Sequence, residues 1–185
     1  MALGGQTWQP SPKHPRSQLR ALPALESSAV ATTEPDLEVL LLMLDDDLPV
    51  PVYAHPGDAG ADLVARVDVV IPAQGRVTVP TGVAIALPAG YAAFVHPRSG
   101  LARKHGLTIV NAPGTVDAGY RGEIQITLLN TDTAAEVSLR RGDRIAQLVI
   151  QRVERARFVR AERLPGSHRG TGGFGSTGTE SAPAE

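Results

Sequence analysis

Short apolar segments separated by glycine and proline make up most of the chain between residues 36 and 158. They recur at intervals of about 8–12 residues, a spacing typical of β-sandwiches and β-barrels. In one segment Ile124, Ile126 and Leu128 alternate with polar residues, as the side chains of a half-buried strand do. Because only Ser99–His105 reads as a helix, the sequence predicts an all-β domain with one short helix.

The predicted strands are separated by turns rich in glycine and proline, most of them typical of β-hairpins. The strands are predicted at residues 37–44, 67–71, 76–79, 83–87, 91–96, 107–110, 123–129, 136–139 and 144–153.

Composition divides the chain into three regions. Residues 1–36 are rich in proline, serine and alanine without an apolar period. This composition fits a disordered leader, a start codon placed too far upstream or an organelle transit peptide. Residues 37–164 form the predicted β domain, and residues 165–185 form a predicted mobile C-terminal arm.

Charge and cysteine content exclude several functions. The formal net charge is −1, whereas a dedicated nucleic-acid-binding domain should be clearly basic. No apolar run approaches the roughly 18 residues of a membrane span. The chain has no cysteine for disulfides, thiolate metal sites or thiol nucleophiles. We therefore expect no nucleic-acid partner and no membrane partner. The absence of cysteine suits a reducing compartment, and a cytoplasmic location is the default expectation.

The C-terminal run at residues 169–178 holds five glycines, one arginine, one phenylalanine and two adjacent hydroxyl residues. Such a segment has too few apolar side chains to form a core, so it reads either as a flexible polar tail or as a ligand-binding arm. Glycine backbones, hydroxyls and a guanidinium suit phosphate oxygens, and a lone aromatic ring suits a nucleobase.

Four further clusters of glycine and polar residues interrupt the strands. Residues 59–63 read as a turn that carries Asp62. Residues 97–106 begin with Pro-Arg-Ser-Gly, where Ser99 either caps a helix or, with Arg98 beside it, binds an anion. In residues 111–123 Asp117 is either a turn residue or a carboxylate base. In residues 142–149 the polar side chain of Gln147 stands in an apolar strand. It either hydrogen-bonds a neighbouring residue or is directed at a ligand.

Taken together and in this order, the five clusters resemble the five motifs of the trimeric deoxyuridine triphosphatase (dUTPase) family. The resemblance extends over residues 37–178. It implies a jelly-roll β-barrel with one short helix and a flexible glycine-rich C-terminal arm. It also implies a homotrimer with three active sites at subunit interfaces, each closed by an arm.

The reaction implied by the resemblance is Mg²⁺-dependent hydrolysis of dUTP to dUMP and pyrophosphate. This reaction limits uracil in DNA and supplies dUMP for thymidylate synthesis. It needs a water that is deprotonated and aimed in line at the α-phosphorus. Asp117 matches the family's water-activating carboxylate.

The resemblance also implies the substrate contacts. Tyr120 matches the ring under the deoxyribose, and Phe174 matches the ring that stacks on uracil. The hairpin expected at residues 111–120, together with a nearby glutamine, would contact the nucleoside through Asn111, Thr115, Val116, Asp117 and Gln125. The residues matching the phosphate contacts are Arg98, Ser99, Gly100, Gln147, Arg169, Ser176 and Thr177.

The metal ion is expected to arrive on the substrate phosphates, because Mg²⁺ keeps several of its waters and seldom uses an all-protein cage. The sequence shows no cluster of histidine, aspartate and glutamate with ligand spacing. Asp62 resembles the family's first-motif acid, which either orients metal-bound waters or has a structural role.

Two other functions compete with dUTP hydrolysis. The dCTP deaminase family shares the fold and the order of the motifs, but it uses a glutamate base and lacks the glycine-rich arm. Tyr120 and residues 169–178 therefore favour a dUTPase. A catalytically silent, dUTP-binding regulator is the alternative from another class, and the presence of all five motifs disfavours it.

Overall fold

The computed structural model of the chain describes residues 37–167 and Gly170. Within that part the chain forms eleven short strands and one helix. In chain order they are β1 (Leu40–Met43), β2 (Ala61–Val64), β3 (Val69–Ile71), β4 (Arg76–Pro80), β5 (Val83–Ala86), β6 (Tyr91–Pro97), α1 (Ser99–His105), β7 (Leu107–Ile109), β8 (Gly114–Asp117), β9 (Gln125–Asn130), β10 (Val137–Leu139) and β11 (Arg144–Arg152).

Antiparallel pairing arranges these strands in four small sheets. The largest has the order β2–β11–β6–β8, a second has the order β4–β9–β7, and two pairs are β1–β5 and β3–β10. Among the described strands no two neighbours in a sheet are consecutive in the chain. The prediction of hairpins is therefore wrong. The turns connect strands that do not pair with each other, as in jelly rolls.

The core lies where the inward-facing side chains of these sheets meet. Ile124, Ile126 and Leu128 are at most 2% exposed, which confirms the alternation predicted for this segment. Burying one such side chain stabilises the fold by about 1.5–3 kcal/mol. The apolar period therefore fixes which face of β9 is turned inward.

Polar groups buried beside the core hold the start of β9 at the turn between β4 and β5. The Thr81 hydroxyl donates to the carbonyl of Ile124 at 2.7 Å, and the N–H of Ile124 donates to the carbonyl of Val83 at 2.8 Å. The N–H of Gly82 donates to the Glu123 carboxylate at 2.8 Å. These bonds fix the position of residues 123–125, which also line the candidate site.

All nine predicted strands are present, with bounds that differ by up to three residues, and two further strands were missed. The missed strands, β2 and β8, lie in the clusters read as turns. Each is only four residues long and contains polar residues, so its strand conformation depends on pairing with β11 or β6. Such long-range pairing overrides local propensity.

The helix α1 begins and ends where the sequence predicted. Its N-cap is Arg98, without a side-chain capping bond, so the interpretation of Ser99 as the cap is wrong. The helix ends at Gly106, whose φ of 61° is the left-handed conformation that glycine accommodates. No helix in the described part of the chain is long and apolar enough to cross a membrane.

Candidate active site

A cavity of about 320 Å³ opens beside β6, β8 and the start of β9. Six of the residues that the resemblance assigns to the nucleoside and the catalytic water line it: Asn111, Thr115, Val116, Asp117, Tyr120 and Gln125. The sequence did not assign its other lining residues: Val95, Ile109, Gly114, Glu123, Ile124 and Ile126. The structure thus brings the predicted nucleoside-side residues together around one opening.

Strand β8 positions the centre of this cavity. It pairs with β6, so that Gly114 lies opposite Val95 and Asp117 lies opposite Ala92. Residues 111–120 therefore do not form the hairpin predicted for them. Val116 is buried, whereas Thr115 and Asp117 are exposed, as the alternation of a strand requires.

Asp117 carries an exposed carboxylate at the edge of this cavity. Among the described residues its side chain makes no hydrogen bond or ion pair, although its carbonyl accepts the N–H of Tyr120 at 3.0 Å. The exposed carboxylate oxygens are thus accessible to water. A water bound there would lie beside the cavity.

The Tyr120 ring is fixed at the mouth of the cavity by its own turn. Its hydroxyl donates to the carbonyl of Glu123 at 2.9 Å. The ring lies so close to Gly122 that an added Cβ would come within 2.5 Å of the hydroxyl oxygen. Glycine at position 122 is therefore needed for this ring position.

Glu123 is a second carboxylate at the cavity that the sequence analysis did not single out. In addition to the Gly82 N–H, it faces the Arg66 guanidinium at 3.4 Å. Arg66 in turn donates to the carbonyl of Leu44 at 2.8 Å and faces Asp45 at 3.4 Å. The Glu123 carboxylate thus belongs to a network of ion pairs and hydrogen bonds that holds the fold, whereas Asp117 has no side-chain partner among the described residues. From the alternation of the strand, the sequence predicted only that the Glu123 side chain is exposed. Its ion pair with Arg66 could not be predicted, because the two residues are 57 positions apart.

A second group of predicted residues surrounds Asp62. The Asp62 side chain is only 7% exposed, and its two oxygens accept from different arginines. Arg98 Nε lies 3.1 Å from Oδ1, and an Arg144 guanidinium nitrogen lies 3.1 Å from Oδ2. Gln147 lies directly opposite Asp62 in the sheet, while Ser99 and Gly100 are exposed at the start of α1.

The two groups lie apart within one chain. Gln147 is opposite His96 of β6, whereas Asp117 is opposite Ala92 of the same strand, from the other side. Four residues along β6 and two strand spacings across the sheet place the Gln147 and Asp117 backbones about 16 Å apart. The predicted arm contacts, Arg169, Phe174, Ser176 and Thr177, lie outside the described residues.

The described residues do not form a direct metal site. No group of three or more histidine, aspartate or glutamate side chains within residues 37–167 could hold a metal ion. Asp62 is already the acceptor of two guanidinium groups, which makes it a poor direct ligand. This donor set fits a metal ion that is carried by a substrate phosphate and touches the protein through water at most.

An exposed carboxylate beside a cavity can activate a water molecule, and a separate pair of guanidinium groups can bind phosphate, so the described residues suit a hydrolase that acts on a phosphorylated ligand. The chain belongs to the dUTPase family, whose model, described as dUTPase, matches residues 46–178. The expected family and its all-β fold are thereby confirmed.

Relatives of known name support this assignment. The deoxyuridine 5'-triphosphate nucleotidohydrolase of Thermobifida fusca (strain YX) is 65% identical over 165 residues, which cover 88% of this chain and 92% of the relative. The protein of the same name from Leifsonia xyli subsp. xyli is 69% identical over 128 residues, covering 69% of this chain and 84% of the relative.

Solved structures show the same fold. The dUTPase of Staphylococcus bacteriophage 80alpha, solved with dUpNHpp, superposes with a TM-score of 0.72 at 28% identity, covering 76% of this chain and 98% of that chain. A mutant dUTPase from phage phi11 of S. aureus, solved to show the coordination of a structural Mg(II) ion, gives a TM-score of 0.64 at 25% identity. That match covers 68% of this chain and 97% of the phage chain.

Proposed function

We propose that this chain hydrolyses dUTP to dUMP and pyrophosphate, and thereby limits uracil in DNA and supplies dUMP for thymidylate synthesis. The observation that carries the proposal is the exposed Asp117 carboxylate, without a side-chain partner among the described residues, beside the cavity formed by the predicted nucleoside contacts. Membership of the dUTPase family supports the same substrate. Cytoplasmic location stays a prediction, which cell fractionation would test.

Asp117 acts as the general base in this mechanism. It accepts a proton from a water molecule that attacks the α-phosphorus in line, and the bond from the α-phosphorus to the bridging oxygen breaks. The products are dUMP and pyrophosphate, and the proton on Asp117 returns to solvent. A general base of this kind accelerates a reaction by roughly 10²- to 10⁴-fold.

The cavity selects a deoxyuridine in the proposed mechanism. Asn111 and the backbone near it pair with the edge of uracil, while Thr115, Val116 and Gln125 line the remaining surface. Cytosine is disfavoured because its exocyclic donor would face another donor, and a buried unpaired polar group costs about 1–3 kcal/mol. The Tyr120 ring lies under the deoxyribose and leaves no space for a 2′-hydroxyl.

The phosphate contacts come from another copy of the chain in a homotrimer. The described residues that line the nucleoside cavity include two acids, Asp117 and Glu123, and no arginine, lysine or histidine. The triphosphate therefore needs cations from elsewhere, and Arg98, Ser99, Gly100 and Gln147 are the predicted source. A separation of about 16 Å is too large for Asp117 and Gln147 of one copy to serve the same phosphoryl group.

The arm supplies the last proposed contacts. Arg169, Ser176 and Thr177 hold the γ-phosphate, and Phe174 stacks on uracil, a contact worth about 1–3 kcal/mol. Mg²⁺, which offsets phosphate charge when bound, is carried by the substrate. Asp62 touches its water shell or, as its two ion pairs favour, has a structural role.

The experiment that tests the proposal compares Asp117→Asn with Asp46→Asn, an exposed acid without an ion pair among the described contacts. We expect Asp117→Asn to bind dUpNHpp like the wild type while pyrophosphate release falls by roughly 10²- to 10⁴-fold. Asp46→Asn should retain normal turnover. Near-normal turnover by Asp117→Asn would contradict the assignment of the base.

A further inference from the structure

The Tyr120 hydroxyl is bonded to a residue that is itself held in place by its side chain. The backbone carbonyl of Glu123 accepts the hydroxyl at 2.9 Å. The Glu123 carboxylate accepts the N–H of Gly82 at 2.8 Å and lies 3.4 Å from a guanidinium nitrogen of Arg66. The Tyr120 ring is 45% exposed, so the position of its hydroxyl end depends on this fixed acceptor.

Arg66 connects this attachment to three other parts of the chain. Its guanidinium donates to the carbonyl of Leu44 at 2.8 Å and lies 3.4 Å from the carboxylate of Asp45. Asp45 also accepts a hydrogen bond of 2.6 Å from Arg141. Two acids and two arginines thus alternate along one chain of ion pairs, whose charges balance. Such a network is suited to holding a position rather than to binding a charged ligand.

The turn beneath the ring restrains it from a second side. A Cβ at Gly122 would come within 2.5 Å of the hydroxyl oxygen and 2.7 Å of Cζ, so the ring lies against the Gly122 backbone. The Arg121 guanidinium donates to the carbonyls of Ala118 and Tyr120 at 2.6 and 2.7 Å, which fixes the backbone of the same turn. The ring is therefore held both at its hydroxyl end and along its edge.

The proposed exclusion of ribose requires a ring that does not yield. A 2′-hydroxyl adds a single oxygen atom, and a half-exposed ring that shifts by about 1 Å makes space for it, so steric exclusion by a mobile ring is weak. A group that must exclude one atom therefore needs a side chain locked by surrounding hydrogen bonds and packing. The contacts of Glu123 and Gly122 supply that restraint.

We propose that Glu123 is a positioning residue for Tyr120, and that the network of Glu123 with Gly82 and Arg66 sets the preference for deoxyribose together with the ring itself. This inference rests on the proposed dUTP hydrolysis and on the proposed place of the Tyr120 ring under the sugar. Arg66 does not line the nucleoside cavity, so it acts only through Glu123.

The first test is Tyr120→Phe, which keeps the ring and removes only its bond to Glu123. We expect the UTP-to-dUTP ratio of kcat/KM to rise by about 2- to 12-fold, the factor that corresponds to one neutral hydrogen bond. An unchanged ratio would overturn the proposal. Because this change removes one oxygen atom from a half-exposed side chain, it remains a test even where a substitution of Glu123 does not fold.

The second test compares Glu123→Ala with Glu123→Gln. Glu123→Ala removes both side-chain contacts and should raise the same ratio by about 2- to 12-fold, because the hydroxyl loses its fixed acceptor. Glu123→Gln keeps an oxygen for the Gly82 N–H and loses only the charge that faces Arg66, so its ratio should lie between those of the wild type and Glu123→Ala. Equal loss of kcat/KM for both nucleotides would overturn the proposal in favour of a direct nucleoside contact or a purely structural role.

The double variant tests whether the two residues act through one bond. If they do, Tyr120→Phe combined with Glu123→Ala gives a ratio no higher than the larger of the two single effects. Multiplication of the two effects would mean that they are independent, and would overturn the proposal.

Asp132→Ala controls for loss of stability alone. The Asp132 carboxylate accepts the N–H groups of Ala134 and Ala135, both at 2.9 Å, and Asp132 does not line the cavity. Its ratio should equal that of the wild type, and an equal rise in this control would overturn the proposal.

Pyrophosphate release from dUTP by the wild type distinguishes failure of this inference from failure of the proposed function. Wild-type turnover of dUTP with an unchanged ratio in Tyr120→Phe and Glu123→Ala refutes this inference alone. A wild type without turnover refutes the proposed function, and the inference with it.

Discussion

An active site shared between copies predicts that two inactive variants restore each other. The first is Asp117→Asn, which lacks the base. The second combines Ser99→Ala and Gln147→Ala, which removes two hydrogen bonds to charged phosphate. At about 1.5–3 kcal/mol each, these bonds correspond to roughly 10²- to 10⁴-fold in kcat/KM. Neither parent should therefore retain more than about 1% of wild-type activity.

The expected recovery follows from the separation of the two groups. In the proposed trimer each site takes Asp117 from one copy and the phosphate contacts from another, so in a random equimolar mixture each half is intact with a probability of about one half. About one quarter of the sites are then complete. Co-refolded mixed trimers should reach about 25% of wild-type pyrophosphate release.

A control mixture of wild type and Asp117→Asn should give about half of the wild-type rate. Every chain in this mixture has intact phosphate contacts, and about half of the sites carry Asp117. Differently tagged chains and native mass measurement establish that mixed trimers form. If mixed trimers form and activity stays at the level of the parents, both halves of the site come from one chain. The division of each site between two copies, inferred from the register of β6, would then be refuted.

Three further predictions concern specificity, the arm and acid stability. Tyr120→Ala should raise the UTP-to-dUTP ratio of kcat/KM by about ten- to hundredfold, because space opens for the 2′-hydroxyl; an unchanged ratio would argue against that role. Deletion of residues 165–185 should leave the trimer intact on gel filtration and lower kcat/KM by roughly 10²- to 10⁴-fold, the sum of a stacking and a charge-assisted contact; full activity would refute the arm's role. The N–H groups of Ala135 and Ala134 lower the pKa of Asp132 below its ordinary value of 3.8, so its stabilisation exists above that value and is lost as the pH falls through the folded pKa. The difference in urea-unfolding free energy between wild type and Asp132→Ala should therefore shrink below about pH 4, and a constant difference would contradict this account.

The spacing and alternation of apolar residues predicted nine of the eleven described strands, but not how they pair. The period of two places Ile124, just before β9, and Ile126 and Leu128 within it inward, because only one face of the strand is buried. The bounds of the helix were also predicted from the sequence, and Gly106 ends it in a left-handed conformation. Strands β2 and β8 were not predicted, because four residues with polar or glycine members form a strand only when a distant partner pairs with them.

Some candidate site residues could be recognised from the sequence and others could not. Asp117 and Tyr120 could be proposed as site residues because they lie in one cluster of neighbouring residues. The partners of Asp62 could not, because Arg98 and Arg144 lie 36 and 82 residues away and meet it only through the order β2–β11–β6. The ion pair between Glu123 and Arg66 could not be predicted for the same reason. Short sequence patterns therefore identify which residues could bind or react, whereas the ion pairs between distant residues depend on the order of the strands in the sheet.

Product analysis of the purified protein with Mg²⁺ and dUTP, dCTP or UTP in parallel decides whether the chain is a dUTP hydrolase. We expect dUMP and pyrophosphate from dUTP, with little turnover of the other two nucleotides. Ammonia release from dCTP would contradict it in favour of a deaminase. Binding of dUTP without turnover of any nucleotide would contradict it in favour of a regulatory protein.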